Sequence, residues 1–253
     1  MPKSRMTRRD ALLALGLLGL GTGMMGACGG TGLLIFSQQR KRTPVPASPT
    51  AEPTKTMTPQ PGPQIVAREA WGALAPDHSA RNEGGFYSAT NPGGWRVYDQ
   101  PLPEVYNTLV VHHSAFLEEN DRATLHEIQD LHRGRNGWAD VAYHYLIGRD
   151  GTIYEGRDVG VRGAHVEGAN TGTVGVCLLG NYAVDPPPMR QIEGAITLMV
   201  WLADWLQLTH IATHRDFNGD ITECPGDNLA AYMPRFAAAT NLTIGTEGYV
   251  PPS

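Results

Sequence analysis

The stretch VAYHYLIGRDGTIYEGRD, Val141 to Asp158, holds two β-rich runs on either side of Asp150-Gly151. An Asp-Gly pair suits a tight turn because glycine adopts positive φ at little steric cost, so the stretch predicts a β-hairpin. Upstream, NTLVVHHSA (Asn107 to Ala115) reads as a short buried strand, with two β-branched residues directly before His112. Between them, DRATLHEIQDLHRGRNGW (Asp121 to Trp138) sets Leu125, Ile128 and Leu131 at helical spacing, and Gly134 is expected to end that helix. Downstream, TVGVCLLGNY (Thr173 to Tyr182) is apolar enough to be a central strand. The run from Met189 to Leu208 predicts a long helix with Ile192, Ala195, Ile196, Met199 and Leu206 on one face. THIATH (Thr209 to His214) reads as a strand leading into His214, and Asp227 is placed to cap a last helix through Phe236. Strands and helices interleave, which predicts an α/β fold: a single domain with a central mixed β-sheet flanked by helices.

That domain is expected to run from residue 65 to 240. It opens with IVAREAWGALAP at Ile65, and the Gly/Asn/aromatic stretch from Asp77 to Tyr98 reads as an irregular surface insertion. Residues 241–253 are left as a C-terminal tail. Residues 43–64 are Pro/Thr-rich without apolar periodicity and predict an extended, semi-rigid tether. Residues 1–42 read as a signal peptide or N-terminal membrane anchor: basic residues precede an apolar, Gly-interrupted run from Ala11 to about Ala27. The opening from Thr7 to Gly16 resembles a twin-arginine export signal, and Met25 to Cys28 faintly resembles a lipidation box. Ala11 to Ser37 is also long enough to span a bilayer, so cleavage, lipidation at Cys28 and a retained helix all stay open. In each case the expectation is export, with the protein held at the cell envelope and touching membrane through this segment only.

The chain carries a net charge of −5, yet residues 1–42 hold seven basic side chains against Asp10 alone, which leaves −11 on the remainder. An acidic domain lacks the basic face that nucleic acid requires, so that partner is excluded. A monomer is expected. Three cysteines (Cys28, Cys177 and Cys224) without close pairs argue against a disulfide framework in an exported chain. Cys28 is the lipidation candidate, Cys177 sits in an apolar run and should be buried, and Cys224 is left for chemistry.

Of nine histidines, His126 and His132 lie on a helix face and read as structural, and nothing argues for His78 or His210. His112 and His214 each end a predicted strand, where a rigid element can hold a side chain at a cleft, and Cys224 follows ten residues after His214. Two imidazoles and a thiolate suit zinc, and three protein ligands leave a fourth position for water. Spacing alone favours two unrelated histidines beside a buried thiol over this set; a Cys–His nucleophile is a further option that nothing local supports.

Four blocks narrow the choice: VVHHSA, GWADVAYHYLIGRDGTIYEGRD, RGAHVEGANTGTVGVCLLGN and HRDFNGDITECPG. They occur in order and resemble the zinc N-acetylmuramoyl-L-alanine amidases, a family that includes the peptidoglycan recognition proteins. The resemblance implies one zinc ion held by His112, His214 and Cys224, with Tyr143 as the catalytic partner across the metal and Thr222 facing the site. It further implies hydrolysis of the amide between N-acetylmuramic acid and L-alanine in peptidoglycan. Tyr143 would then either donate to the developing oxyanion or help move protons. Arg162, His165 and Asn170 would line the groove for the muramyl stem peptide, where Arg162 could meet a carboxylate, and Trp138 would form part of its wall. His113 and His144 adjoin assigned residues and, by strand alternation, should pack behind them. The family's non-cutting members typically lack the ligating thiol, so Cys224 favours an enzyme over a binding module. A zinc peptidase cutting within the stem peptide is the other rival. Ten positions between His214 and Cys224 is two more than many relatives carry, and Asp158-Val159 stand where relatives that favour diaminopimelate often carry Gly-Trp.

Overall fold

The computed structural model describes residues 61–249. The readings of residues 1–42 and of most of the tether lie outside these. Among the described residues no helix is long and apolar enough to cross a membrane.

Seven strands form one sheet: β1 (Ile65–Val66), β2 (Thr108–His113), β3 (Tyr145–Ile147), β4 (Ile153–Glu155), β5 (Thr173–Leu178), β6 (His210–Thr213) and β7 (Thr243–Ile244). Their spatial order is β1-β4-β3-β5-β2-β6-β7. β3 and β4 are the antiparallel hairpin, paired Tyr145 to Glu155 and Ile147 to Ile153. Every other neighbouring pair is parallel, so the sheet is mixed as expected. The hairpin's turn runs from Gly148 to Thr152, and Gly151 takes the positive φ of 93° that the Asp-Gly pair foretold.

β5 lies at the centre with β2 beside it, and both are buried along their whole length. Side chains alternate across a strand, which sorts each strand into two faces. Leu109, Val111, Val174, Val176 and Leu178 pack with α4 (Met189–Trp205) and α7 (Met233–Thr240) in the main core. Ile192, Ala195, Met199 and Leu206 are fully buried there, with Ile196 packed at the edge. On the opposite face, Leu146 and Cys177 pack with Trp71 of α1 (Arg68–Trp71) and with Leu125 and Ile128 of α3 (Asp121–Asp130). His112 belongs to this second face. A short α2 (Leu102–Val105) precedes β2.

Four expectations change. Gly134 does not end the third helix: α3 passes at Leu131 into a π-helical turn, Leu131–Arg135, and the chain reverses at Gly137 with φ of 70°. The predicted last helix is two, α6 (Asp227–Ala230) and α7, with Asp227 as first residue and Gly226 as the cap. The stretch 77–98 is anchored, because Ala80 and Trp95 pack with Ala139 and Val161, and Glu83 is buried against Arg157. The segment read as a tail beyond 240 supplies β7, which pairs with β6.

Candidate metal centre and substrate cleft

His112 is the fifth residue of β2 and is fully buried on the face turned away from α4. His214 follows β6 directly as the first residue of α5 (His214–Asn218), so it opens a helix at the strand's end. Asp216 secures that junction by accepting the Thr213 N–H at 2.7 Å, one half of a capping box. β2 and β6 are hydrogen-bonded neighbours, which brings the His112 and His214 rings to 4.8 Å between centroids. Cys224 reaches the same point from the loop after α5. Its carbonyl accepts the Arg215 N–H at 2.9 Å, and its Sγ lies 3.7 Å from His112 Nδ1 and accepts from His113 N–H at 3.4 Å. One donor atom from each of His112, His214 and Cys224 falls within 4.8 Å of the others.

Nitrogen, nitrogen and sulfur at such separations match the donor preference of zinc, with fewer protein donors than a closed structural site would bring. Burial, then the neighbouring His165 and His214, hold the His112 imidazole well below its usual pKa, and burial also lowers His214. Both rings are therefore neutral and carry a lone pair at neutral pH. Burial pushes the Cys224 thiol up to about 12, partly opposed by the His113 N–H, so uptake of a cation there must expel a proton.

Tyr143 stands just before β3 with its ring centroid 5.0 Å from that of His112. Burial raises its hydroxyl well above the ordinary value, with Cys177 and Cys224 adding to the shift, so it keeps its proton at neutral pH. Thr222 Oγ1 accepts the Cys224 N–H at 3.1 Å and retains its own hydrogen to donate. His113 faces the other way, accepting the Tyr182 N–H, and His144 is held between Gly175 N–H and Val161 O; both pack behind the site.

A cleft of about 640 Å³ opens beside this cluster, lined among others by Trp138, Arg162, His165, Asn170, His214 and Tyr249. All four residues expected in the groove are there. Trp138 forms wall, packed on His132 at 5.0 Å. The two terminal nitrogens of Arg162 donate to Pro92 O and Gly94 O, so this guanidinium first clamps the far wall of the cleft. Asn170 Oδ1 accepts the backbone N–H of His165 and of Val166, which fixes the loop. His165 is buried and points inward to His112, with its Nδ1 3.0 Å from His112 Nε2.

Four residues escaped the sequence reading. His132, placed by the π turn, lies 5.4 Å from the Tyr143 ring and accepts the Ala142 N–H; a histidine on a helix face carries no signal of this. Arg157 and Glu83 form a buried ion pair, and Arg157 also donates to Val141 O and Arg162 O, joining the cleft's segments. Tyr249 closes one end by donating to Thr171 O and resting on Phe217.

A mixed α/β domain with three candidate metal donors near the C-terminal ends of parallel strands, beside an open cleft, defines the class. Residues 102–227 match the model of the family described as N-acetylmuramoyl-L-alanine amidase. Peptidoglycan-recognition protein SC2 of Drosophila melanogaster is 37% identical over 130 residues, 47% of this chain and 68% of that protein. Peptidoglycan recognition protein 1 of Bos taurus is 32% identical over 173 residues, 65% of this chain and 80% of the relative. The structure of wild-type Drosophila PGRP-LB superposes with a TM-score of 0.53 at 26% identity, covering 71% of this chain and 96% of the other. A mutant of PGRP-LB in complex with tracheal cytotoxin gives 0.55 at the same identity and coverage. The chain belongs to the N-acetylmuramoyl-L-alanine amidase and peptidoglycan recognition protein family.

Proposed function

We propose that the protein is a zinc-dependent N-acetylmuramoyl-L-alanine amidase that hydrolyses the bond between N-acetylmuramic acid and L-alanine in peptidoglycan. The observation that carries this reading is the convergence of His112, His214 and Cys224, with His214 also lining the adjoining cleft of about 640 Å³. Bound by these three, zinc would supply an activated water and polarise the scissile carbonyl.

The chain's own residues do the rest. The cleft between Trp138, the 165–170 loop and Tyr249 receives the stem peptide and excludes much of the solvent around the amide. Tyr143, protonated at neutral pH, donates to the carbonyl oxygen as negative charge develops there, and Thr222 offers a second hydroxyl. His132 backs the Tyr143 ring, so the phenol is held in place by packing before substrate arrives. The protein is exported and held at the envelope by residues 1–42, with residues 43–64 as its tether.

A binding-only role is the rival, and an intact ligand set speaks for catalysis. Digestion of defined muropeptides with and without a chelator, read by mass spectrometry, separates the cases. The expected product is an intact stem peptide with a free L-alanine amine. It should vanish with chelator, return on adding zinc, and fall sharply in Cys224→Ser together with the zinc content. Tight muropeptide binding with no cleavage in zinc-loaded protein would replace the enzyme by a receptor, and cleavage inside the peptide would replace it by a peptidase.

A further inference from the structure

The imidazole of His165 is buried in a place built for it. Glycines 163 and 175 flank the ring: a Cβ on Gly175 would lie 2.7 Å from His165 Cγ, and one on Gly163 would overlap His165 Cδ2. Gly175 belongs to the central strand β5, and Asn170 grips the backbone of His165 from the other side, so neither ring nor loop has room to turn. Within this slot His165 Nε2 lies 3.4 Å from Thr173 O, and His165 Nδ1 lies 3.0 Å from His112 Nε2.

These contacts assign the protons. A backbone carbonyl can only accept, so the nitrogen facing Thr173 O carries hydrogen, and a neutral imidazole then has its lone pair on Nδ1. His112 Nε2 must in turn be the donor to that lone pair. The second nitrogen of His112, Nδ1, is left with its lone pair, and that atom is the one 3.7 Å from Cys224 Sγ. From this geometry we infer that His165 is a positioning residue for the metal centre. By accepting from His112 Nε2–H it holds His112 in the tautomer and ring orientation that present Nδ1 to the ion. The chain Thr173 O, His165, His112 then replaces the single carboxylate or carbonyl that commonly orients a metal-binding imidazole. Besides lining the cleft, His165 thus acts on the metal ligand.

The role rests on the zinc reading, and the test keeps the two apart. In the full chain labelled with ¹⁵N-histidine, the His112 Nε2–H resonance should show scalar coupling to His165 Nδ1 in both zinc-free and zinc-loaded protein. His165→Leu, similar in bulk but without an acceptor, should weaken zinc affinity about 10- to 100-fold in competition with a chromophoric chelator. His165→Asn, whose Oδ1 can stand where Nδ1 stood, should stay within a few-fold of the parent. Nδ1-protonated His112 in the zinc-free parent, or unaltered zinc affinity in His165→Leu, overturns the inference while leaving the amidase reading intact. If His165→Leu fails to fold, the coupling in the parent and the Asn variant decide. A parent chain that takes up no zinc defeats both.

Discussion

At the scale of single residues, the centre divides holding from reacting. His112, His214 and Cys224 come from a strand, a helix start and a loop, and their donor atoms converge within 4.8 Å of one another. Tyr143 lies beside His112 with its hydroxyl hydrogen-bonded to Cys177, and its raised pKa makes it a donor and not a base. Removing the hydroxyl should therefore leave the metal and remove the chemistry. Tyr143→Phe is expected to bind zinc as the parent does, while kcat for muropeptide hydrolysis falls by about 10²- to 10³-fold, the usual loss for one oxyanion donor. Metal analysis beside single-turnover kinetics checks both halves, and near-parental turnover would strike Tyr143 from the mechanism.

Elements carry these residues to their places, and the least secure carrier is the junction of β6 and α5. α5 is only five residues long and cannot hold its own helix, so His214 depends on how its first turn is tied down. Asp216 does this by taking the Thr213 N–H, an otherwise orphaned donor at the helix start. Asp216→Ala should cost about 1 kcal/mol of stability, as lost helix-terminal hydrogen bonds do. It should also weaken zinc binding, because His214 begins the turn that loosens. Urea melts and chelator competition read the two effects; lost stability with unchanged zinc affinity would show that Cys224 and β6 alone fix His214. The π turn at Leu131–Arg135 works in the same way on His132 and Tyr143, since the extra residue per turn rotates His132 inward under the phenol.

The whole molecule shows its design in how many imidazoles it buries neutral. Burial lowers His113 to about 4, His144 to about 4 and His132 to about 3, against an ordinary 6.5. Unfolded, each of these takes up a proton as pH drops below 6.5; folded, none does until about 4. The unfolded state therefore binds more protons in that window, and stability falls as pH falls through it. The loss should reach about 1.4 kcal/mol per pH unit for each such histidine and level off below the folded values. Urea midpoints of chelated protein at pH 7 and pH 5 test the sign, and equal stability at the two would mean these side chains are solvated. The buried Arg157–Glu83 pair holds the 77–98 stretch against the segment that follows the hairpin.

Local chemistry was enough to read the strands and their order of use. An Asp-Gly turn, apolar runs with β-branched residues and one long amphipathic helix depend on nearest neighbours, so the hairpin, the central strand β5 and α4 were legible in the residues alone. The three candidate metal donors came from the family resemblance of their blocks, since spacing by itself favoured two unrelated histidines beside a buried thiol over a zinc set. What no local pattern could specify is which groups meet across the sheet. His165 turns to His112 because Gly163 and Gly175 open a slot for it, Glu83 crosses to Arg157, and the last residues return to pair with β6. Each of these joins residues far apart in the chain, and only the packed sheet determines that they touch.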